Sequence, residues 1–123
     1  MVSLGYLRNM NIKIVEETIS IEELREIAKE FFGSMVKGVV DIERGIVAFG
    51  GEYHMDSNVL LLEHGSKQGD LWGFNIYPDT SRDSWIEYVS LINIRPAAQN
   101  FDMEVQNPEI RGKMKEIIDS KII

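Results

Sequence analysis

The sequence predicts an α+β domain: a single, mostly antiparallel sheet of about five strands with helices packed on one face, in the order β-α-β-β-(α)-β-β-α. Three observations carry this. Two alternating apolar/polar segments, 71–77 and 85–95, flank a turn-rich loop, as a hairpin requires. Two segments, one early and one at the end, show helical apolar spacing behind clear start signals. Between them lie β-branched runs around Glu43-Arg44-Gly45.

Taken in order, residues 1–10 are expected to form a flexible extension, with a single domain over 11–123. The first strand pattern is Asn11-Ile-Lys-Ile-Val15. Ser20 and Glu23 then form an S-x-x-E capping box, with Ile19 and Leu24 placed for a hydrophobic staple. Leu24, Ile27, Ala28 and Phe31 follow i, i+3, i+4, i+7 spacing and Gly33 offers a left-handed stop, so a helix is expected over 21–32. Met35 to Ile42 and Ile46 to Phe49 read as a hairpin whose three-residue loop places Gly45 where φ must be positive. Asp56 could cap a short helix from Ser57 to His64; a strand through Val59-Leu-Leu-Leu62 is the alternative, and the reading leans to helix.

Pairing Tyr77 with Trp85 puts Trp72, Phe74, Ile76, Ile86, Tyr88, Ile92 and Ile94 on one face, which is core. The other face is mixed: Asn75, Glu87, Asn93 and Arg95 stand among Leu71, Val89 and Leu91. Residues 96–106 read as loop. Asn107-Pro108 starts a last helix with a cap residue and an N1 proline, and its apolar stripe is Ile110, Met114, Ile117 and Ile118.

Composition removes several functions. There is no cysteine, hence no disulfide, thiolate metal site or cysteine nucleophile, which fits a cytoplasmic protein. No segment reads as a signal peptide, and no apolar run approaches the ~20 residues of a membrane helix, so a soluble protein without membrane contact is expected. Twenty acidic against thirteen basic residues leave a net charge of −7, which argues against nucleic acid as a partner. Seven acidic residues against Lys67 and Arg82 place five of those charges between Gly50 and Ser90, where both histidines also lie.

Four constellations could carry chemistry. Gly50-Gly-Glu-Tyr-His-Met-Asp56 would, if the strand ran on past the glycines, place Glu52, His54 and Asp56 on one face. Two carboxylates beside an imidazole suit a divalent metal or general acid–base work; the bland alternative is a polar loop with Asp56 as a cap. No cofactor is expected, and a divalent metal is the one these residues could take. Glu63 joins Glu52 and His54 as a candidate catalytic residue, although Glu63-His64 lacks the H-E-x-x-H spacing. His64 near a helix C-terminus has a simpler use, complementing the dipole. Gly65-Ser-Lys-Gln-Gly-Asp70 lacks the phosphate-loop order, and G-x-S-x-G is absent. Asn75, Asn93 and Arg95 could meet on one sheet face and hold an anionic or amide-bearing ligand, or simply serve a strand edge.

The runs Gly50-Gly-Glu-x-His54, Leu61-Leu-Glu-x-Gly-Ser-Lys-Gln-x-Asp-Leu-Trp-Gly73, Asn75-x-Tyr-Pro78 and Ile92-Asn-Ile-Arg-Pro96 resemble a small prokaryotic family of uncharacterised proteins, named only as a domain of unknown function. The resemblance covers roughly Ile12 to Ile118 and implies a stand-alone protein; the residues before Met10 depart from the family pattern. It implies no activity, cofactor or catalytic residue. The residues therefore favour a non-enzymatic binding module that self-associates over a small metal-dependent or acid–base enzyme. The expected self-contact is the mixed hairpin face, where Leu71, Tyr77, Trp85, Val89 and Leu91 have no evident cover, and a homo-oligomer would supply it.

Overall fold

The structure, a computed structural model, describes residues 11–123; the flexible extension expected at 1–10 lies outside the described residues. The elements are β1 (Ile12–Val15), α1 (Ile21–Phe31), β2 (Val36–Asp41), β3 (Ile46–Gly50), α2 (His54–Glu63), β4 (Leu71–Ile76), β5 (Ile86–Glu87) and α3 (Pro108–Lys121), with 3-10 turns at Gln68–Asp70, Leu91–Asn93 and Pro96–Ala98. The strands form one open antiparallel sheet in the order β1-β3-β2-β4-β5, so the α+β class is as the sequence predicts.

The local signals act as their chemistry requires. The Ser20 side chain accepts the Glu23 N–H at 3.1 Å, but the Glu23 carboxylate turns to Lys13 and leaves the second half of the capping box unused. Asn107 Oδ1 accepts the N–H groups of Glu109 and Ile110 at the start of α3. Gly45 has φ +67°, and the β2–β3 hairpin closes on the pair Asp41 and Ile46, one residue wider than the expected loop. Asp41, fully buried, sets that width: its Oδ1 accepts the N–H groups of Glu43 and Arg44, and its Oδ2 accepts from the Ser66 hydroxyl at 2.7 Å.

The alternation of the strands sorts the core into two layers. Val36, Val40, Val47, Phe49, Trp72, Phe74 and Ile76 face α1 through Leu24 and Ala28, and α3 through Met114 and Ile118. The intervening residues Val39, Ile46, Ala48 and Leu71 pack with Leu61 of α2 and with Ile92. Helices expected on one face thus lie on both: α1 and α3 on one, α2 on the other. Apolar residues on both pleat surfaces of β2 and β3 require cover on both sides.

The second hairpin has the expected register, with the Tyr77 N–H donating to the Trp85 carbonyl and Ile76 opposite Ile86. Its second strand ends at Glu87, however, instead of running to Arg95. Tyr88, Val89 and Ser90 pair instead with 103–105, through Val105 N–H to Tyr88 O, the Val89–Glu104 bridge and Ser90 N–H to Met103 O. The period-two reading fails there: Ile92 goes to the α2 side, and Ile94 is exposed. The mixed face is covered only in part within the chain: Leu71 is buried beneath α2, while Leu91 stays exposed. Trp85 does not share that face; it is buried in the opposite layer against α3, donating its indole N–H to Asp119 Oδ1 at 2.9 Å.

Candidate functional site

The segment 89–93 seats on β4 through a side chain that imitates a strand. Asn93 Oδ1 accepts the Gly73 N–H at 2.8 Å, and its Nδ2 donates to Gly73 O at 3.0 Å and Met103 O at 3.1 Å. Arg95 donates to Leu71 O at 2.6 Å and stacks over the Trp72 ring. β5 pairs with β4 only at Asn75 and Ile76, so these two side chains satisfy edge groups that no strand reaches. Asn100, also buried, holds the loop beyond by donating to the carbonyls of Asn93, Asp102 and Glu104.

At the other end of the same sheet face, β3 stops at Gly50 and the chain turns into α2. Gly50 has φ +117°, and a Cβ there would lie 2.2 Å from Asn11 O, so only glycine fits this turn. The helix begins at His54, not at Ser57. Asp56 sits one turn inside it and accepts the Tyr53 N–H at 3.4 Å instead of acting as the cap. Because the strand ends at the glycines, Glu52, His54 and Asp56 do not share a strand face. Glu52 is exposed, and Glu63 lies at the far end of α2, about 14 Å away at 1.5 Å per residue. His64, just beyond it, meets Glu16 at 3.0 Å. Among the described residues no three His, Cys, Asp or Glu side chains come together as a metal site would need.

Between the start of α2 and the segment 89–92 lies a cavity of about 550 Å³ on the α2 face of the sheet. Lys37 and Asn75, directly paired across β2 and β4, line it from the sheet, and Glu87 pairs with Asn75 on the far side. A polar row Lys37–Asn75–Glu87 therefore crosses three strands. Tyr53, the N-cap of α2, and His54 and Met55, its first two residues, line it from above, and Met35, Val89, Leu91 and Ile92 supply apolar wall. Of the residues singled out from the sequence, His54 and Asn75 meet at this cavity. Asn93 and Arg95 serve the β4 edge, and the cavity lining does not include Glu52, Asp56 or Glu63.

Two atom assignments follow from partners that can only accept. His54 Nε2 lies 2.8 Å from the Phe74 carbonyl, so Nε2 carries the proton and the neutral ring keeps its lone pair on Nδ1. Burial lowers the His54 pKa below its ordinary value, and the Lys37 charge adds to this, while the Phe74 carbonyl, Asn75 and Glu87 act in the opposite sense. The ring is neutral at pH 7. Asn75 Nδ2 donates to Glu87 Oε1 at 2.8 Å, with the Val89 carbonyl at 3.4 Å, which fixes the amide orientation. The other end, Asn75 Oδ1, is buried with essentially no surface open to the cavity; it meets no donor while the His54 proton is on Nε2, and it is one of the groups that favour a second proton on that ring. Lys37 rests against the faces of Phe32 and Tyr53, at 5.1 and 5.8 Å, and no carboxylate among the described residues lies within 4 Å of it. No sequence signal marked Lys37 as more than a strand residue, although a cation two positions from Met35, facing away from Val36, is the pattern of a polar spot on a covered face.

Fold and cavity together define a small α+β domain whose distinctive feature is a mostly apolar cavity with a few fixed polar groups. The model of a family described as "Protein of unknown function (DUF5674)" matches residues 13–121, and the chain belongs to that family. No match is found among curated proteins or among solved structures. No helix among the described residues is long and apolar enough to cross a membrane.

Proposed function

We propose that the chain is a non-enzymatic binding module that takes a small organic ligand into the cavity between α2 and the segment 89–92. The observation that carries this is the cavity itself, a mostly apolar space whose polar lining includes Lys37, His54 and Asn75. The volume lies within the roughly 300–1,000 Å³ of small-molecule sites. Catalysis has less support, since among the described residues no hydrogen bond joins the Ser90 hydroxyl to the His54 imidazole as a nucleophile–base pair would have. A fragment screen by protein-observed NMR tests the reading. Amide shifts should concentrate on Met35, Lys37, His54, Asn75 and Leu91. Hits scattered over the surface, or none in a library of several hundred compounds, would overturn it.

Self-association is the second reading, favoured by a different surface from the one expected. Met55, Val59 and Leu62, at i, i+4 and i+7 of α2, form an exposed apolar stripe, and Leu91 beside the cavity is 72% exposed. A two-fold pair joined through this stripe would cover it and narrow the cavity mouth. Light scattering should return about twice the 14.1 kDa chain mass at micromolar concentration, and Val59→Lys should return a single chain. A single-chain mass for the unaltered protein ends this reading without touching the cavity.

A further inference from the structure

The solvent face of α2 departs from the rest of this acidic surface. Four residues of the helix are exposed: Met55, Val59, Leu62 and Glu63. Three of them are apolar, in a chain with seven more acidic than basic side chains, and Leu91 extends the apolar surface across the cavity mouth. A solvated helix face is ordinarily polar, so a stripe of this kind marks a contact. The one exposed charge, Glu63, stands at the C-terminal end of the helix and makes no ion pair among the described residues. At the opposite end Lys37 lines the cavity beside Tyr53 and His54, and it too lacks a carboxylate partner among the described residues. Its ammonium lies against the exposed rings of Phe32 and Tyr53, 5.1 and 5.8 Å from their centres. Glu52, in the turn before α2, is not part of the cavity lining. An unpaired cation and an unpaired carboxylate therefore bracket one apolar stripe. The helix holds them about 14 Å apart along its axis, too far to pair within one chain.

A two-fold axis through the middle of the helix brings those two ends together between copies. Counted from Val59, Met55 lies about 6 Å toward the start of α2 and Leu62 about 4.5 Å toward its end. Two antiparallel α2 helices crossing at Val59 thus set Val59 on the partner's Val59 and Met55 on the partner's Leu62. The same crossing carries the partner's Glu63 to the cavity end of the helix, where Lys37 stands. A parallel crossing would instead bring the two Glu63 carboxylates together beside apolar surface, which like charges oppose. We infer that two copies of this chain join through antiparallel α2 helices, with the partner's Glu63 supplying the carboxylate that Lys37 lacks at the cavity mouth. This rests on the self-association reading and specifies its orientation and its polar contact. The apolar stripe supplies the contact area, and the two symmetric Lys37–Glu63 pairs fix its direction. The cavity mouth is complete only in the pair, since each copy lends the other its carboxylate.

Sedimentation velocity on the full chain tests it with two charge reversals. Lys37→Glu and Glu63→Lys each set like charges opposite one another at both contacts, so each variant alone should dimerise at least about ten-fold more weakly than the parent. Mixed in equal amounts, the two should recover pairing as tight as the parent's, because both contacts across the mixed pair again join opposite charges. A contact within one chain would give no such recovery. Lys37 is half-buried in β2, so a second measurement uses the exposed position alone. Glu63→Lys mixed with the parent protein should form a pair of intermediate strength, with one contact kept and one reversed. A parent dimer that Val59→Lys dissociates and Glu63→Lys leaves unchanged overturns the antiparallel pairing and leaves self-association through α2 standing. So does a mixture of the two folded reversals that pairs no more tightly than its components. A parent protein that stays a single chain at micromolar concentration overturns both.

Discussion

Replacing Asn93 with Asp should remove about 3–4 kcal/mol from the stability of this domain, a large share of the ~5–15 kcal/mol typical of one its size. The side chains are isosteric, so the loss measures hydrogen bonding and charge, not packing. Asn93 is fully buried and uses both ends of its amide on backbone: one acceptor to the Gly73 N–H and two donor bonds, to Gly73 O and Met103 O. An aspartate keeps the first and sets an oxygen against two carbonyls. If it ionises, a charge is buried beside two acceptors; if it protonates, one donor returns. Burial raises the aspartate's native pKa, so the deficit against the parent protein should narrow as pH falls from that raised value to the ordinary carboxylate range and stay level below it. Urea unfolding at pH 7 and pH 4 reads both effects. A variant within 1 kcal/mol of the parent at pH 7 would show that the Asn93–Gly73 pairing does not hold the segment down.

Asn93 also shows how far the sequence could be read. Local signals are legible because their chemistry lies within a few residues: Ser20 capping α1, Asn107 capping α3, glycine at the positive-φ position of the β2–β3 turn, and Tyr77 opposite Trp85 across the second hairpin. The alternation from Trp85 to Arg95 misled because an alternating pattern fits any segment that buries every second residue, and the partner decides whether it is a strand. Here residues 103–105 take the backbone of 88–90, and the chain turns into a 3-10 segment at Leu91. Asn93 and Arg95 then supply with side chains what the missing strand would have supplied with backbone. Asparagine and arginine suit that role and a ligand site equally, so residue type alone could not separate the two.

The candidate site was half legible for a similar reason. His54 stood out as one of two histidines, but its supposed partners depended on the strand continuing past Gly50-Gly51, and two positive-φ glycines end it. The turn swings His54 onto the first position of α2 and over the sheet, where it meets Asn75 from β4. Lys37 stands 17 residues before His54 and 38 before Asn75 in no particular pattern, and only the β2–β4 register sets it beside Asn75. Asp41 and Asn100, both buried and each making several hydrogen bonds, organise loops on either side and carry no mark in the sequence beyond their residue type.

Replacing Gly73 with Ala should cost about 2–3 kcal/mol, because the new methyl has nowhere to go. Its Cβ would fall 2.5 Å from Ser90 Cβ and 2.7 Å from Ser90 Oγ, with Ile92 at 3.1 Å. Ser90 is buried, and its Cβ moves only with its backbone, so the segment 90–92 must lift off the sheet. Lifting it draws Asn93 away from Gly73, so the strain and the lost hydrogen bonds are one event. A double-mutant cycle of Gly73→Ala with Asn93→Ala should accordingly fall short of additivity by at least ~1 kcal/mol, since whichever change comes first has already released what the second would break. Gly112→Ala is the control: it lies exposed within α3 with nothing within 4 Å of its Cβ position, and should stabilise by about 0.5–1 kcal/mol through helix propensity. Ser90 and Ile92 also line the cavity, so Gly73→Ala should weaken ligand binding although residue 73 does not reach it. Energies that add to within about 0.5 kcal/mol would mean that the glycine and the asparagine act on β4 independently, and that the segment over the sheet yields locally without unseating.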